Sequence, residues 1–260
     1  MAPVASKRPQ PDPEGEDSVG SGPSCVPNGD LVLAAQARGL EADRVMLLAQ
    51  AAPPLWADVS IDQQVNDLSL LLRPLGPAEL RVRVLPPDEG ASEWQVTVAA
   101  ADRLGLLAIT TSLLSSFDLT VTHARVGTWP DGHALQHLWV LPDPATSVEP
   151  QWASIGQSLQ YSLEHEVLRP MGDVAFSADW VSEVRLLSST GEGKGKLERF
   201  LVVLSTEDRK GVLSAISARF ADLGMNVISA EVKTVDGVAR DVFVVDVAGS
   251  SNNVTELLVA

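Results

Sequence analysis

Two short segments of this sequence combine an acidic residue, a glycine and the start of an apolar helix pattern. The segment from Asp102 to Leu106 reads DRLGL, and the segment from Asp208 to Val212 reads DRKGV. A glycine lets a ligand approach the backbone closely, and the N–H groups that open a helix favour an anion such as a carboxylate. The aspartate suits a ligand's ammonium group. Each segment could therefore hold the two charged ends of a small zwitterion.

Asn226 is a further candidate, because its side-chain amide both donates and accepts hydrogen bonds. These residues also have structural interpretations, which stay open. Asp208 suits an ordinary helix N-cap, Gly211 suits close packing of a helix on a strand, and Asn226 suits a turn. The candidate ligand-binding residues are Asp102, Gly105, Leu106, Asp208, Arg209, Gly211, Val212 and Asn226.

Other combinations of reactive residues do not form a recognisable catalytic or metal site. His133 and His137 are spaced as on a zinc-binding helix, but they fall in a strand pattern, where that spacing spans roughly 13 Å. No Ser-His-Asp arrangement stands out. The glycine-rich segment 191–196 lacks the Gly-Lys-Ser/Thr ending of a phosphate loop. We expect no catalytic residue, no metal and no cofactor.

The composition narrows the range of partners and compartments. The 260 residues carry a formal net charge of −15, which repels nucleic acid and anionic membranes. The single cysteine, Cys25, cannot form an internal disulfide. No segment approaches the length of a membrane helix, and no signal sequence opens the chain. We expect a cytoplasmic protein that binds neither nucleic acid nor membranes.

An internal repeat shows which elements position the two segments. Residues 94–141 align with 200–247 at one offset, so that the Asp, Arg and Gly of one segment coincide with those of the other, and the Asp-Gly turns that follow lie one residue off this offset. Both copies continue with apolar residues at helical spacing, then a strand, an Asp-Gly turn and a strand. Thr120 stands where the second copy has Asn226, which favours the second copy as the binding site.

The first copy continues with a helix pattern over 151–167 and a strand pattern over 181–188, completing βαββαβ. The second copy lacks a final strand, and a spare strand, 79–85, precedes the first. We predict that the spare strand completes the second module's sheet; a truncated chain is the alternative. The predicted organisation is a disordered tail (1–29), a helical segment (30–77), a first module (78–190) and a second module (191–260).

These features resemble the ACT domain family. The residues that carry the resemblance read DRKGVL from Asp208 and LGMNV from Leu223, with a weaker version in the first copy. The arrangement is similar to the C-terminal tandem ACT pair of bacterial PII uridylyltransferases. The resemblance implies an α+β fold of two ferredoxin-like modules, side by side as a pseudo-dimer, with a shared eight-stranded sheet and helices on one face.

The resemblance also implies a non-catalytic regulatory protein with a ligand site between the modules. The ligand it suggests is an amino acid, with glutamine as one candidate. The nucleotidyltransferase and phosphohydrolase motifs of those enzymes are absent: no Asp-x-Asp follows a Gly-Ser loop, and no His-Asp dipeptide occurs. Two alternatives are a regulatory remnant or subunit of nitrogen-sensing machinery, acting on a protein partner, and a pure assembly module such as a homodimer. The assembly alternative requires the two segments to face solvent.

Overall fold

The computed structural model describes residues 29–56, 59–145, 149–165, 167, 174–191, 196–248 and 258. Most of the predicted tail, residues 192–195 and, except for residue 258, the end of the second module from residue 249 lie outside this description. The helices are α1 (Gly29–Ala37), α2 (Ala42–Gln50), α3 (Ile61–Leu71), α4 (Leu106–Ser116), α5 (Trp152–Glu164) and α6 (Val212–Asp222). The strands are β1 (Leu80–Leu85), β2 (Trp94–Ala101), β3 (Leu119–Thr128), β4 (His133–Pro142), β5 (Val181–Thr190), β6 (Leu197–Glu207), β7 (Met225–Val235) and β8 (Val238–Ala248).

The eight strands form one antiparallel sheet in the order β1-β2-β4-β3-β7-β8-β6-β5. The first half of the molecule runs from β1 to α5, and the second half runs from β5 to β8. In each half a helix connects two strands that have a third strand between them, which is the split βαβ arrangement of ferredoxin-like folds. The predicted α+β fold of two modules sharing an eight-stranded sheet is confirmed.

The predicted pairing of the edge strands was wrong. β1, the spare strand, pairs with β2 of the first half, from Leu80 opposite Ala100 to Leu85 opposite Gln95. β5, expected to complete the first module, pairs instead with β6 of the second half. In both cases a strand pairs with the next strand in the chain, because a short connection costs little loop-closure entropy. Both halves therefore begin with a hairpin, and neither lacks a strand.

A pseudo-two-fold axis relates the two halves. At the junction β3 pairs with β7, and Arg125 lies opposite Glu231, its own counterpart in the repeat. On the helical side, the Thr111 and Ser217 hydroxyl oxygens lie 3.0 Å apart, and these two residues are also counterparts, 106 positions apart. The repeat seen in the sequence is thus a symmetry of the structure.

The helices occupy both faces of the sheet, which corrects the prediction of a single helical face. Residues Val96, Val98 and Leu138 pack in one core with α4, α5 and α6. Residues Ala99 and Leu135 alternate with that set and pack against α1–α3. Because successive strand residues point to opposite faces, the helical segment covers the other face of the first half.

A buried polar cluster joins this helical segment to the sheet. Asp67 of α3 is fully buried and accepts hydrogen bonds from Trp56 Nε1 at 2.9 Å and Gln63 Nε2 at 2.8 Å. His137 Nε2 of β4 lies 3.1 Å from the same carboxylate. His133 contacts other partners, since its Nε2 accepts from the Leu75 N–H at 3.0 Å. None of the described helices is long and apolar enough to span a membrane.

Candidate functional site

The loops after β2 and β6 bring the two DRxG segments to the junction between the halves. Gly105 has a φ of 79° and Gly211 a φ of 91°, a left-handed conformation that strains other residues. This turn starts α4 and α6 directly after the glycine. Neither helix has a side chain capping its first turn, so the N-cap interpretation of Asp208 does not hold. The first turn of each helix lines a space at the junction. The first N–H of each helix, that of Leu106 or Val212, donates to a carbonyl of its own loop at 3.2 Å.

The first site is formed by Asp102, Gln136 and Asn226. Asp102 Oδ2, at the end of β2, accepts a hydrogen bond of 2.9 Å from Nδ2 of Asn226, at the start of β7. Burial raises the pKa of Asp102, and the hydrogen bond from Asn226 partly offsets this rise. Gln136 of β4 is 1% exposed, and its Oε1 has no hydrogen-bond partner among the described residues. Gly105 and Leu106 also line this site.

The second site is formed by Asp208, Thr234 and Asp241. Asp208 Oδ2 accepts a hydrogen bond of 2.7 Å from the Thr234 hydroxyl. Asp241 of β8 is 2% exposed, and within the described chain its Oδ1 accepts no hydrogen bond. Burial, with repulsion from Asp208, raises the pKa of Asp241 to about 7. Gly211 and Val212 line the site, together with Arg209, whose side chain is exposed.

The structure separates two residues that the sequence placed together. Asp208 and Asn226 belong to the same repeat copy, but Asp208 lies in the second site and Asn226 in the first. Antiparallel pairing causes this exchange, because the start of β7 runs beside the end of β3, close to the end of β2. Each site thus combines the loop of one half with a strand of the other half.

Sequence reasoning missed Gln136 and Asp241. They are polar residues at core-facing positions of strands whose other core-facing residues are apolar, such as Leu138 and Phe243. A polar residue at such a position is a signal, since burying it unpaired is costly. They occupy equivalent places in the two sites. The carboxylate of Asp241 therefore replaces the amide of Gln136.

Both sites are nearly closed. Each leaves about 10 Å³ of free space, which is room for about one water molecule. A ligand of amino-acid size would require the two halves to separate locally and, in the first site, would replace the Asn226–Asp102 contact. No group of three His, Cys, Asp or Glu side chains able to hold a metal occurs in the described part of the chain.

Comparisons with known proteins show which proteins this chain resembles. Residues 200–257 match the model of the ACT domain. Over 220 residues the chain is 26% identical to the bifunctional uridylyltransferase/uridylyl-removing enzyme of Rhodopseudomonas palustris, covering 81% of this chain and 24% of that enzyme. The enzyme of the same name from Nitrobacter hamburgensis is 26% identical over 227 residues, covering 78% of this chain and 22% of that enzyme. The chain thus spans less than a quarter of each relative.

Among solved structures, aspartate kinase from Synechocystis aligns with a TM-score of 0.33 and 14% identity, covering 61% of this chain and 24% of that chain. A likeness this low supports no inference. The family match falls on β6–β8, which include the second DRxG segment and the LGMNV segment that carried the resemblance. The resemblance is confirmed for this region, which matches the ACT domain model.

Proposed function

We propose that this protein is a non-catalytic regulatory module that binds an amino acid between its two halves. The observation that carries the proposal is the hydrogen bond from Asn226 to Asp102, which joins the halves beside the uncapped start of α4. The binding groups come from both sides of the junction. A ligand there would change how the halves fit together.

The first site offers a group for each part of an amino acid. Asp102 can accept hydrogen bonds from the ammonium group, and the N–H groups of Leu107 and Ala108 in the first turn of α4 can donate to the carboxylate. The free Oε1 of Gln136 can accept from a polar side chain. An amide side chain such as that of glutamine would both donate and accept at Gln136 and Asn226. Glutamine is therefore the first ligand to test.

The closed form of the site supports a switching role. Because a water-sized space cannot admit an amino acid, the ligand must bind a more open arrangement of the two halves. A ligand shifts an equilibrium between two states when it binds one of them better. Asp102 and Asp208 line spaces at the junction, although the side chains in the middle of each DRxG segment are exposed. The position of the two aspartates counts against an assembly module that binds nothing.

A second candidate is a regulatory part of nitrogen-sensing machinery that acts on a protein partner. The similarity of most of the chain to bifunctional uridylyltransferases favours it. The test is to add the purified chain to a uridylyltransferase reaction and to measure whether its response to glutamine changes. An unchanged response over a range of chain concentrations would count against this candidate.

The proposed site can be tested by a thermal-shift screen of the full chain against the twenty amino acids. Binding adds roughly 2.7 kcal/mol of stability at a hundred times the dissociation constant. The shift should be lost in Asp102→Asn and Asn226→Ala and retained in Asp208→Asn, the matched change in the second site. If no amino acid shifts the melting temperature at millimolar concentration, the proposal is wrong.

A further inference from the structure

We propose that the second site binds an ammonium group through Asp241 and Asp208, and that the first site lacks this preference. The inference deepens the proposed function at one of its two sites. It rests on the second site's own geometry and does not require binding at the first site.

The unpartnered oxygen of Asp241 is the first observation. Its strand neighbours, Leu204 on β6 and Val232 on β7, are apolar and buried. Oδ1 has no hydrogen-bond partner among the described residues, although it lies beside a small space. Buried polar atoms are nearly always hydrogen-bonded. Within the described part of the chain, a donor in that space would therefore complete the hydrogen bonding of Asp241.

The other groups around this space select the kind of donor. Asp208 contributes a second carboxylate, and the lining also includes Thr111, Ser115 and Ser214. Among the described lining residues, Arg209 alone carries a positive charge, and its side chain is exposed. Two carboxylates favour a cation over a neutral donor. A group with several N–H donors suits a site lined by several oxygen acceptors.

The size of the space restricts the cation further. Room for about one water molecule matches an ammonium group and excludes a guanidinium or a quaternary amine. The start of α6 disfavours a bare cation, but it favours a carboxylate attached to the same ligand. The ammonium group can therefore come from free ammonium ion or from an amino acid whose carboxylate lies at α6.

The first site shows why the preference is confined to one half. Asn226 already donates to its only aspartate, Asp102. Gln136 holds the position of Asp241 with a neutral amide, which can both donate and accept. The first site has one carboxylate with a partner, whereas the second site has two carboxylates and a free oxygen.

The test compares melting temperatures of the full chain at pH 8 with ammonium chloride, potassium chloride, tetramethylammonium chloride and glycine at equal ionic strength. Ammonium chloride or glycine should raise the melting temperature by about 2–4 °C at ten times the dissociation constant. Tetramethylammonium carries the same charge but has no N–H donor. The response should weaken below pH 7, because protons compete for Asp241.

Two variants assign the response to a site. Asp241→Asn keeps the shape of the side chain and removes the charge, so it should abolish the shift. Asp102→Asn, the matched change in the first site, should leave the shift with ammonium chloride intact. A shift with ammonium chloride identifies the free ion, and a shift with glycine alone identifies an amino acid. An equal shift with potassium, a shift that survives Asp241→Asn, or no shift with either probe would overturn the inference, whatever happens at Asp102.

Discussion

The two halves of the sheet differ on the face that lies opposite α4 and α6. In the first half, Ala99, Trp129 and Leu135 are buried there under α1–α3. In the second half, Leu197 and Val242 remain exposed. β2 is accordingly buried at five consecutive positions, as expected for a strand covered on both faces. In β6 buried residues alternate with partly exposed ones, although residues 200–204 are all apolar. The first half thus has three layers, with helices on both faces of its sheet, whereas the second half has two.

Trp129 and its counterpart in the repeat, Val235, provide the largest test of this difference. Trp129 is 2% exposed, its Nε1 donates to the Leu48 carbonyl at 3.0 Å, and its ring packs edge-on to Trp56. Val235 is 49% exposed. We expect Trp129→Ala to cost about 3–5 kcal/mol of unfolding free energy and Val235→Ala about 0.5 kcal/mol or less, measured by urea denaturation. Similar losses in the two variants would mean that the helical segment does not stabilise the sheet.

Asp241 and Asp102 distinguish the two sites by their response to pH. Burial raises the pKa of Asp241 from its ordinary value of 3.8 to about 7. Between pH 3.8 and about pH 7, Asp241 is ionised in the unfolded chain and protonated in the folded chain. The free energy of unfolding therefore falls as the pH rises through this range, and the loss is complete above it. Asp241→Asn should therefore stabilise the protein at pH 8 by roughly 2–4 kcal/mol and lose most of that gain at pH 5.

The matched variant Asp102→Asn should show a smaller gain of the same sign. Burial raises the pKa of Asp102 as well, but the amide of Asn226 favours its charged form. Urea unfolding of both variants at pH 5 and pH 8 measures the difference. A gain for Asp241→Asn that is the same at both pH values would show that the carboxylate is not protonated in the folded chain.

The repeat made the central symmetry of the fold predictable from the sequence. Its offset already paired Arg125 with Glu231 and Thr111 with Ser217, and these pairs meet at the axis. The loops at Gly105 and Gly211 were also located correctly, since glycine before a helix reports a left-handed turn. Local sequence patterns were sufficient to predict the parts of the fold that depend on residues close together in the chain.

The edge strands and the composition of each site could not be predicted in this way. The pattern of β1 is the same whichever strand it pairs with, and only the short connection to β2 determines its partner. Asn226 joined Asp102 because the strands of the two halves run antiparallel at the junction. In the sequence, Asp241 and Gln136 do not differ from other polar strand residues. Only the register of the sheet shows that they face the core.

The pair at the pseudo-two-fold axis should give the smallest effect. The Thr111 hydroxyl lies 2.8 Å from the Leu107 carbonyl and the Ser217 hydroxyl 2.7 Å from the Leu213 carbonyl, besides their mutual contact. Each hydroxyl has only one hydrogen, so one of the two must forgo its helix bond to donate across the axis. Thr111→Val and Ser217→Ala should each cost about 1 kcal/mol. The double variant should cost less than the sum, because it leaves no hydroxyl unpaired.

A double-mutant cycle by urea denaturation measures this coupling. Ser112→Ala is the control, since the buried Ser112 hydroxyl donates to the Ala108 carbonyl of its own helix. Combined with Ser217→Ala, it should give additive losses. Additive losses for Thr111→Val with Ser217→Ala as well would mean that α4 and α6 touch at the axis without a hydrogen bond. The contact between α4 and α6 would then be one of packing without a hydrogen bond, which a ligand at either site could separate more easily.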